Sequence, residues 1–427
     1  MNSQVNSGEV PEAENSPTPL LAPAGGVPEL IETEAALTKA LQEIAAGTGP
    51  IAVDAERASG YRYSARAYLI QIKRNSHIYL IDPIPFMESK LVKELNAILQ
   101  SDEVILHAST QDLPCLREFG LNPKRLFDTE LGARIAGLPR VGLGPLCEYF
   151  FNVSLAKEHS AVDWSLRPLH DDWLNYAALD VELLIEMREK LIALLTEQGK
   201  LDWAYQEFEN ILNAPPPPPR EDPWRRTSGM HKVRKREQMA VVRELWRARD
   251  AIAQREDIAP GRLLSDNAIT ELSVTAPTTP KNFTKTLKPI GFRSRWMDNL
   301  QTWLDAITKA QNSELPLMRL SGDGMPPVKQ WRDKFPERYA PLTHARNAVL
   351  QRALELNIPA ENLITPEFVR RLCWDLTKPE LSIVQEKLVK LGARPWQIEQ
   401  VAALIAAALR EREPLPTPEP ENEPASE

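Results

Sequence analysis

Four carboxylates and a tyrosine stand in three short, widely spaced motifs: Asp54 and Glu56 in IAVDAERA, Asp112 in LHASTQDL, and Tyr176 with Asp180 in NYAALDVELL. Acids brought to one point repel, and each raises the pKa of its neighbours. A pair of divalent cations resolves that conflict, and the same ions promote hydrolysis of a phosphodiester. Taken singly, each motif has a plainer reading. Asp54 and Glu56 are two apart on a strand and share one face, which also describes a solvated strand end. Asp112 precedes an apolar helical run and reads equally as an N-cap or first-turn acid. Tyr176 and Asp180 are neighbours at i and i+4 on a helix, a spacing that also serves packing with a surface acid beside it. The chemistry follows only if the fold brings all of them together.

The elements that would do so alternate from about residue 29 to 213. GPIAVDAERA opens on an apolar run that turns acidic. RAYLIQIKR and SHIYLIDP are β-rich runs separated by Asn75 and Ser76, which suit a hairpin turn. Leu91, Leu95, Ile98 and Leu99 have helical spacing. EVILHA and RLFD read as strands, DLPCLREFGL as a helix ended by Gly120, and TELGARIAG as a helix capped by Asp128. A single long amphipathic helix is expected from Asp171 to Glu197. Strands interleaved with helices indicate an α/β layer architecture with a mixed sheet.

Pro215 to Pro219 form a stiff linker, 214–222 with its flanks. Beyond it the chain is all-α and repeats itself. With an offset of 100 residues, DIAPGRLLSDNAITEL aligns with NIPAENLITPEFVRRL without a gap, and Trp296 and Leu304 align with Trp396 and Leu404. The expected units are a helical module at 223–312, a linker at 313–327 and a second module at 328–412. The Ser or Thr repeated before a helix, Ser265 and Thr365, reads as an N-cap.

The net charge is -8 in 427 residues, but it is placed at the ends. Residues 1–28 hold three glutamates, residues 413–427 hold five, and neither segment has Lys or Arg, so the body is formally neutral. Both ends are rich in Pro, Ser and Glu and are expected to be disordered acidic tails. Cys115, Cys147 and Cys373 lie too far apart for a metal knuckle or a disulfide framework, and read as reduced, buried thiols of a cytoplasmic protein. No run is long and apolar enough for a membrane span. The main basic patch, from Arg220 to Arg249, holds ten Lys or Arg interleaved with Trp224 and Trp246. Basic side chains there (Arg225, Arg226, Lys232, Arg234, Lys235 and Arg236) are candidates for phosphate contact, though the patch reads equally as a solvated helical face; Tyr63 and Gln71 near the first motif are candidates for nucleic-acid contact and read equally as core.

The flanks narrow the reading. Tyr63 and Leu69-Ile70-Gln71 follow Asp54 and Glu56, while His107-Ala108 precedes Asp112-Leu113. Asp128-Thr129 comes next. Asp163-Trp164-Ser165, Arg167-Pro168-Leu169 and Tyr176-Ala177 then lead to Asp180-Val181. In order and spacing these resemble the ribonuclease D family of 3′-to-5′ exonucleases, the DEDDy branch of the RNase H-like fold. The two helical modules look like HRDC domains. The resemblance implies an exonuclease domain at 29–213 that releases nucleoside 5′-monophosphates from RNA 3′ ends, with tRNA precursors as substrates. It implies that Asp54 bridges two divalent cations (Mg²⁺, with Mn²⁺ acceptable), that Glu56 and Asp180 complete one site, and that Asp112 holds the other. Tyr176 would orient the attacking water. A histidine fills that role in another branch of the superfamily, but neither His159 nor His170 is assigned it. Ala55 and Arg57 depart from the family, which often has Thr and an aromatic there; this bears on substrate contact, since they flank the ligands. A DNA exonuclease of the same fold and a non-catalytic nucleic-acid-binding module are the competing readings.

Overall fold

The structure is a computed structural model, and it describes residues 16–155, 162–216, 218–318 and 324–416. Its first unit is a six-stranded mixed sheet. Its strands are β2 (Leu30–Ile31), β3 (Ile51–Arg57), β4 (Ala67–Arg74), β5 (His77–Ile81), β6 (Val104–Leu106) and β7 (Leu126–Asp128), while β1 (Thr18–Leu20) and β8 (Val153–Leu155) pair apart from it. The sheet order is β2-β5-β4-β3-β6-β7; β3 and β4 and β4 and β5 run antiparallel, and the other neighbours run parallel. The expected hairpin is present: Arg74 faces His77 across Asn75, whose φ of 53° is the left-handed conformation that asparagine tolerates. The middle strands are covered on both faces, so β4 is buried along its whole length.

The helices of this unit are α1 (Glu34–Ala46), α2 (Leu91–Ser101), α3 (Leu113–Phe119), α4 (Thr129–Ile135), α5 (Leu143–Phe151), α6 (Asp171–Glu182), α7 (Leu184–Glu197) and α8 (Leu201–Asn213). Gly120 ends α3 at φ 102°, and the Asp128 side chain caps α4 by accepting from the Leu131 amide. The single helix expected from Asp171 to Glu197 is instead two, broken at Leu183 (φ -108°, ψ 5°). A side chain from β4 meets the chain at this break. Buried Lys73 of β4 donates to the Glu182 carbonyl, the acceptor that a continuous helix would offer to its own amides.

The N-terminal segment is also more ordered than its composition implies. Residues 18–20 pair in parallel with residues 153–155, Asn175 donates to the Leu21 carbonyl, and the Ala24 amide donates to Glu182. Backbone pairing and anchors on α6 outweigh the disorder-promoting composition of this stretch. Likewise residues 413–416 of the C-terminal tail lie along the second module, held at Thr343 and His344. Residues 1–15 and 417–427, where the rest of the tails were expected, lie outside the described residues.

The first helical module contains α9 (Arg236–Glu256), α10 (Pro260–Leu263), α11 (Asp266–Thr275), α12 (Pro280–Leu287) and α13 (Leu300–Gln311). The second contains α14 (Trp331–Lys334), α15 (Pro336–Glu355), α16 (Ala360–Leu363), α17 (Pro366–Trp374), α18 (Leu381–Leu391) and α19 (Pro395–Ala408). The repeat reappears in space: Leu263 and Leu363, Leu272 and Leu372, and Trp296 and Trp396 are buried in their respective cores. The shared cap does not. Ser265 accepts from the Ala268 amide, whereas Thr365 makes no such bond.

Both modules dock on the sheet unit, through different faces. In the first, Asp257 ends α9 in the left-handed conformation, accepts from the Ser64 amide at 2.8 Å and Tyr68 Oη at 3.3 Å, and lies near Arg66. Tyr63 donates to Asp250, and Arg262 donates to the Gly60 carbonyl while its guanidinium covers the Tyr61 ring. In the second, Trp396 stacks on Trp203 with centroids 4.9 Å apart, and buried Glu207 of α8 accepts from Trp396 Nε1 and Arg394 Nε. Gly137 lies so close to Asn357 that a Cβ would meet its carbonyl oxygen at 2.1 Å, so no other residue fits there without displacing the module.

Candidate active site

β3 delivers the first two acids. Ile51, Ala52, Val53 and Ala55 are buried, while Asp54 and Glu56 lie together on the half-covered face. β6 ends in a tight turn that places Asp112 before α3. That turn holds Ala108 at φ 57°, a strained value for alanine. Asp128 supports it: its carboxylate accepts from the amides of Ala108 and Ser109, from Ser109 Oγ at 2.6 Å and from the Leu131 amide. Asp128 therefore sets the turn that aims Asp112, and the reading of it as an N-cap describes half of its work. Across the cleft, α6 presents Tyr176 and Asp180 one turn apart, with the phenol donating to the Asp180 carboxylate.

The three motifs meet in a cleft of about 250 Å³ lined by Asp54, Glu56, Asp112, Tyr176 and Asp180, with Arg57 and His107 at its edge. Carboxylate oxygens of Asp54, Glu56 and Asp180 lie within 4.8 Å of one another. Burial is the main influence on each acid. It lifts the Asp54 carboxyl to about 6 and the Asp112 carboxyl to about 8, where the Asp54 charge adds to the effect. Glu56 and Asp180 are pushed well above the carboxylate range by burial first and by the neighbouring acids second. Burial also raises the Tyr176 phenol, reinforced by the Asp180 charge, so it serves as a neutral hydroxyl.

Asp112 differs from the other three in lying within ion-pair distance of a cation, although the Arg57 charge is also felt at Asp54 and Glu56. The register of β3 against β4 shifts between Glu56 and Arg57, and such bulges re-aim side chains. Arg57 donates to the Gln111 carbonyl at 2.6 Å and stands 3.4 Å from Asp112 Oδ1. The sequence marked Arg57 as a departure but gave no sign that it would reach the acid cluster. His107 bonds Thr129 Oγ1 through Nδ1, and burial lowers its pKa. His170 caps the start of α6 and packs on Trp173 away from the cleft, and His159 lies outside the described residues.

Several expected nucleic-acid contacts are placed otherwise. Gln71 is fully buried in β4 opposite Asp54, with neither amide atom bonded to protein, so it cannot touch a substrate strand. Arg225 is paired with Asp222 and lies over buried Trp224, Lys232 is paired with Glu271, and Arg236 donates to the carbonyls of Leu315 and Pro316. The partners of Lys232 and Arg236 lie 39 to 80 residues away and could not be read from local charge counting, whereas Asp222 is three residues from Arg225. Arg226, Arg234 and Lys235 remain exposed, and Tyr63 is exposed but bonded to the first module.

Residues 28–196 match the 3′-5′ exonuclease family, residues 238–294 the HRDC domain, and residues 324–409 a 3′ to 5′ exonuclease C-terminal domain. Over 275 residues the chain is 33% identical to ribonuclease D of Acidiphilium cryptum, spanning 62% of this chain and 67% of that one. The chain belongs to the ribonuclease D family. It is also 28% identical over 271 residues to the exosome complex exonuclease RRP6 of Saccharomyces cerevisiae, covering 59% of this chain but only 36% of the yeast protein. A protein from Bifidobacterium adolescentis superposes with TM-score 0.83 at 38% identity, over 92% of this chain and all of that one (100%). Escherichia coli RNase D shares the fold at TM-score 0.62 and 24% identity, with 90% of this chain and 98% of that chain covered.

Members of the DEDD exonuclease group use divalent cations, and the ribonuclease D cleft suits them. Its donors are hard carboxylate oxygens, they converge, and one arginine, Arg57, stands against four acids. A consequence for stability follows. Between about pH 4 and 8 the folded cleft binds protons that the unfolded chain has released, because Asp54 and Asp112 titrate near 6 and 8 rather than near 4. Stability without cation must therefore fall as pH rises through that window. The melting temperature in EDTA is expected to drop between pH 5 and 8, and saturating Mg²⁺ or Mn²⁺ to restore it at pH 8. A flat EDTA profile would contradict the burial of these acids.

Proposed function

We propose that this chain is a two-metal-ion 3′-to-5′ exoribonuclease that releases nucleoside 5′-monophosphates, acting in the 3′ maturation of tRNA or other stable RNA in the cytoplasm. The observation that carries this reading is the convergence of Asp54, Glu56, Asp180, Asp112 and Tyr176 in one open cleft. In this reading Asp54, Glu56, Asp180 and Asp112 hold the cations, with Mg²⁺ as the physiological ion. When bound, the cations supply the charge that lowers the pKa of water and offsets the leaving oxygen.

The residues of the chain do the positioning. The Tyr176 hydroxyl, held by Asp180, orients a water for in-line attack on the phosphorus of the terminal linkage. The bond from phosphorus to the 3′-oxygen of the penultimate nucleotide breaks, and that oxygen takes a proton from solvent. The released nucleotide keeps the phosphate on its 5′-oxygen. Arg57, at the cleft edge, is placed to meet a phosphate oxygen once Asp112 engages a cation.

The test is degradation of matched 3′-tailed RNA and DNA oligonucleotides with Mg²⁺, with Mn²⁺ and with EDTA. Stepwise 5′-monophosphate release from RNA, abolished by EDTA, is expected. Preference for DNA would move the chain to a repair exonuclease of the same fold, since discrimination of sugars depends on contact with the 2′-hydroxyl. No cleavage of either would leave a non-catalytic binding module.

A further inference from the structure

We infer that the first helical module grips the phosphate backbone of RNA through the hairpin formed by α12 and the turns after it, an inference that rests on the exoribonuclease reading. From residue 272 to 297 there are five basic residues, Lys281, Lys285, Lys288, Arg293 and Arg295, and no acid. All five are exposed, and among the described residues none has an ion-pair or side-chain hydrogen-bond partner. This sets them apart from the cations of α9 and the segment before it, most of which are engaged with acids or carbonyls.

The mutual spacing of these charges is unfavourable for the helix that carries them, although Lys285 in its last turn and Lys288 at its C-cap lie where the dipole favours a cation. Lys281 and Lys285 stand one turn apart on the same face as Lys288, and like charges at that spacing destabilise a helix. Lys281 also sits in the first turn, where the positive end of the helix dipole disfavours a cation. Packing does not explain the charges either, because the core is filled from the other face by Phe283, Leu287 and Trp296.

The second module provides an internal comparison. Over α12 and α18 the offset is 101 residues, so that buried Val384 and Leu388 take the places of Phe283 and Leu287 and Gly392 that of Gly291 (both at positive φ), and it returns to 100 at Trp296 and Trp396. At the places of Lys281, Lys285 and Lys288 the second module has Ser382, Glu386 and Val389. Of its own cations, Lys390 pairs with Glu386, Lys387 lies near Asp375 and Arg394 pairs with Glu207 of α8, which leaves Lys378 as the single exposed cation without a partner in that stretch among the described residues. The same hairpin thus serves as a dock in one copy and stands free and cationic in the other. A row of exposed cations with no acid among them complements a polyanion, and the proposed substrate is one.

The test uses the full-length chain in EDTA and a fluorescein-labelled hairpin RNA with a single-stranded 3′ tail, titrated at salt concentrations from about 50 to 200 mM. Each single-strand phosphate contact contributes about 0.7 to the slope of log affinity against log salt. The triple variant Lys281→Gln, Lys285→Gln, Lys288→Gln should therefore lose about 2 units of slope and roughly tenfold or more in affinity at low salt. A charge-matched control, Lys93→Gln, Lys190→Gln, Lys378→Gln, alters exposed lysines elsewhere and should keep the wild-type slope. Equal losses in the two variants, or an unchanged slope in the first, would overturn the inference. Cleavage of short RNA by the wild type with Mg²⁺ is measured in parallel. Its absence would overturn the nuclease reading, whereas cleavage together with an unchanged slope would overturn only the role of this face.

Discussion

Asp54→Asn and Asp180→Asn are each expected to abolish hydrolysis, by about 10³-fold or more, while leaving the fold intact. Asp54 and Asp180 contribute two of the three carboxylates that converge within 4.8 Å. An amide keeps the shape and one acceptor but loses the charge that a divalent cation needs. The substitution also removes one of several buried like charges. Burial alone already pushes both carboxyls upward, and Asp180 also feels the Asp54 charge. The melting temperature in EDTA should therefore hold or rise, while the stabilisation gained on adding Mg²⁺ should shrink. Loss of activity together with a large fall in the EDTA melting temperature would indicate that these acids serve the fold, and near-normal cleavage would remove them from the site.

Tyr176→Phe should slow cleavage by about 10²- to 10⁴-fold, the usual scale of a positioned proton-handling group, with almost no change in cation affinity. The hydroxyl donates to Asp180, and a neutral phenol is a poor ligand for a hard divalent cation beside four carboxylates. Its pKa lies above the normal phenol value, so its contribution is orientation by a neutral hydroxyl, and the rate deficit should persist across pH 7 to 9. The comparison to make is kcat against the Mg²⁺ concentration at half-activity. Parallel loss of both would make Tyr176 part of the cation site.

The chemistry of this chain was legible because its carriers sit on elements with strong local signals. Asp54 and Glu56 end an apolar strand, and Tyr176 and Asp180 are one turn apart on a helix, so periodicity alone puts each pair on one face. The order of the motifs and their flanks then pointed to the fold that joins them. What escaped the sequence depends on partners remote in the chain. The Leu183 break is met by a lysine from β4, Arg57 reaches Asp112 from beside a shift in sheet register, and Lys232 and Arg236 are claimed by groups that no local pattern reveals. Disorder inferred from composition failed at residues 18–24 for the same reason, since their pairing partners are at 153–155 and on α6.

Trp203 belongs to two hydrophobic cores at once, that of the sheet unit and that of the second module. The core of the first module shares no side chain with either among the described residues. Cooperative unfolding follows shared packing rather than chain order. The sheet unit and the distant C-terminal module should therefore melt as one transition, and the module between them in sequence should melt as another. In calorimetry a cation that fills the cleft would move only the first of these. Trp396→Ala, by emptying the stack on Trp203, would split it, leaving three transitions where the native chain has two.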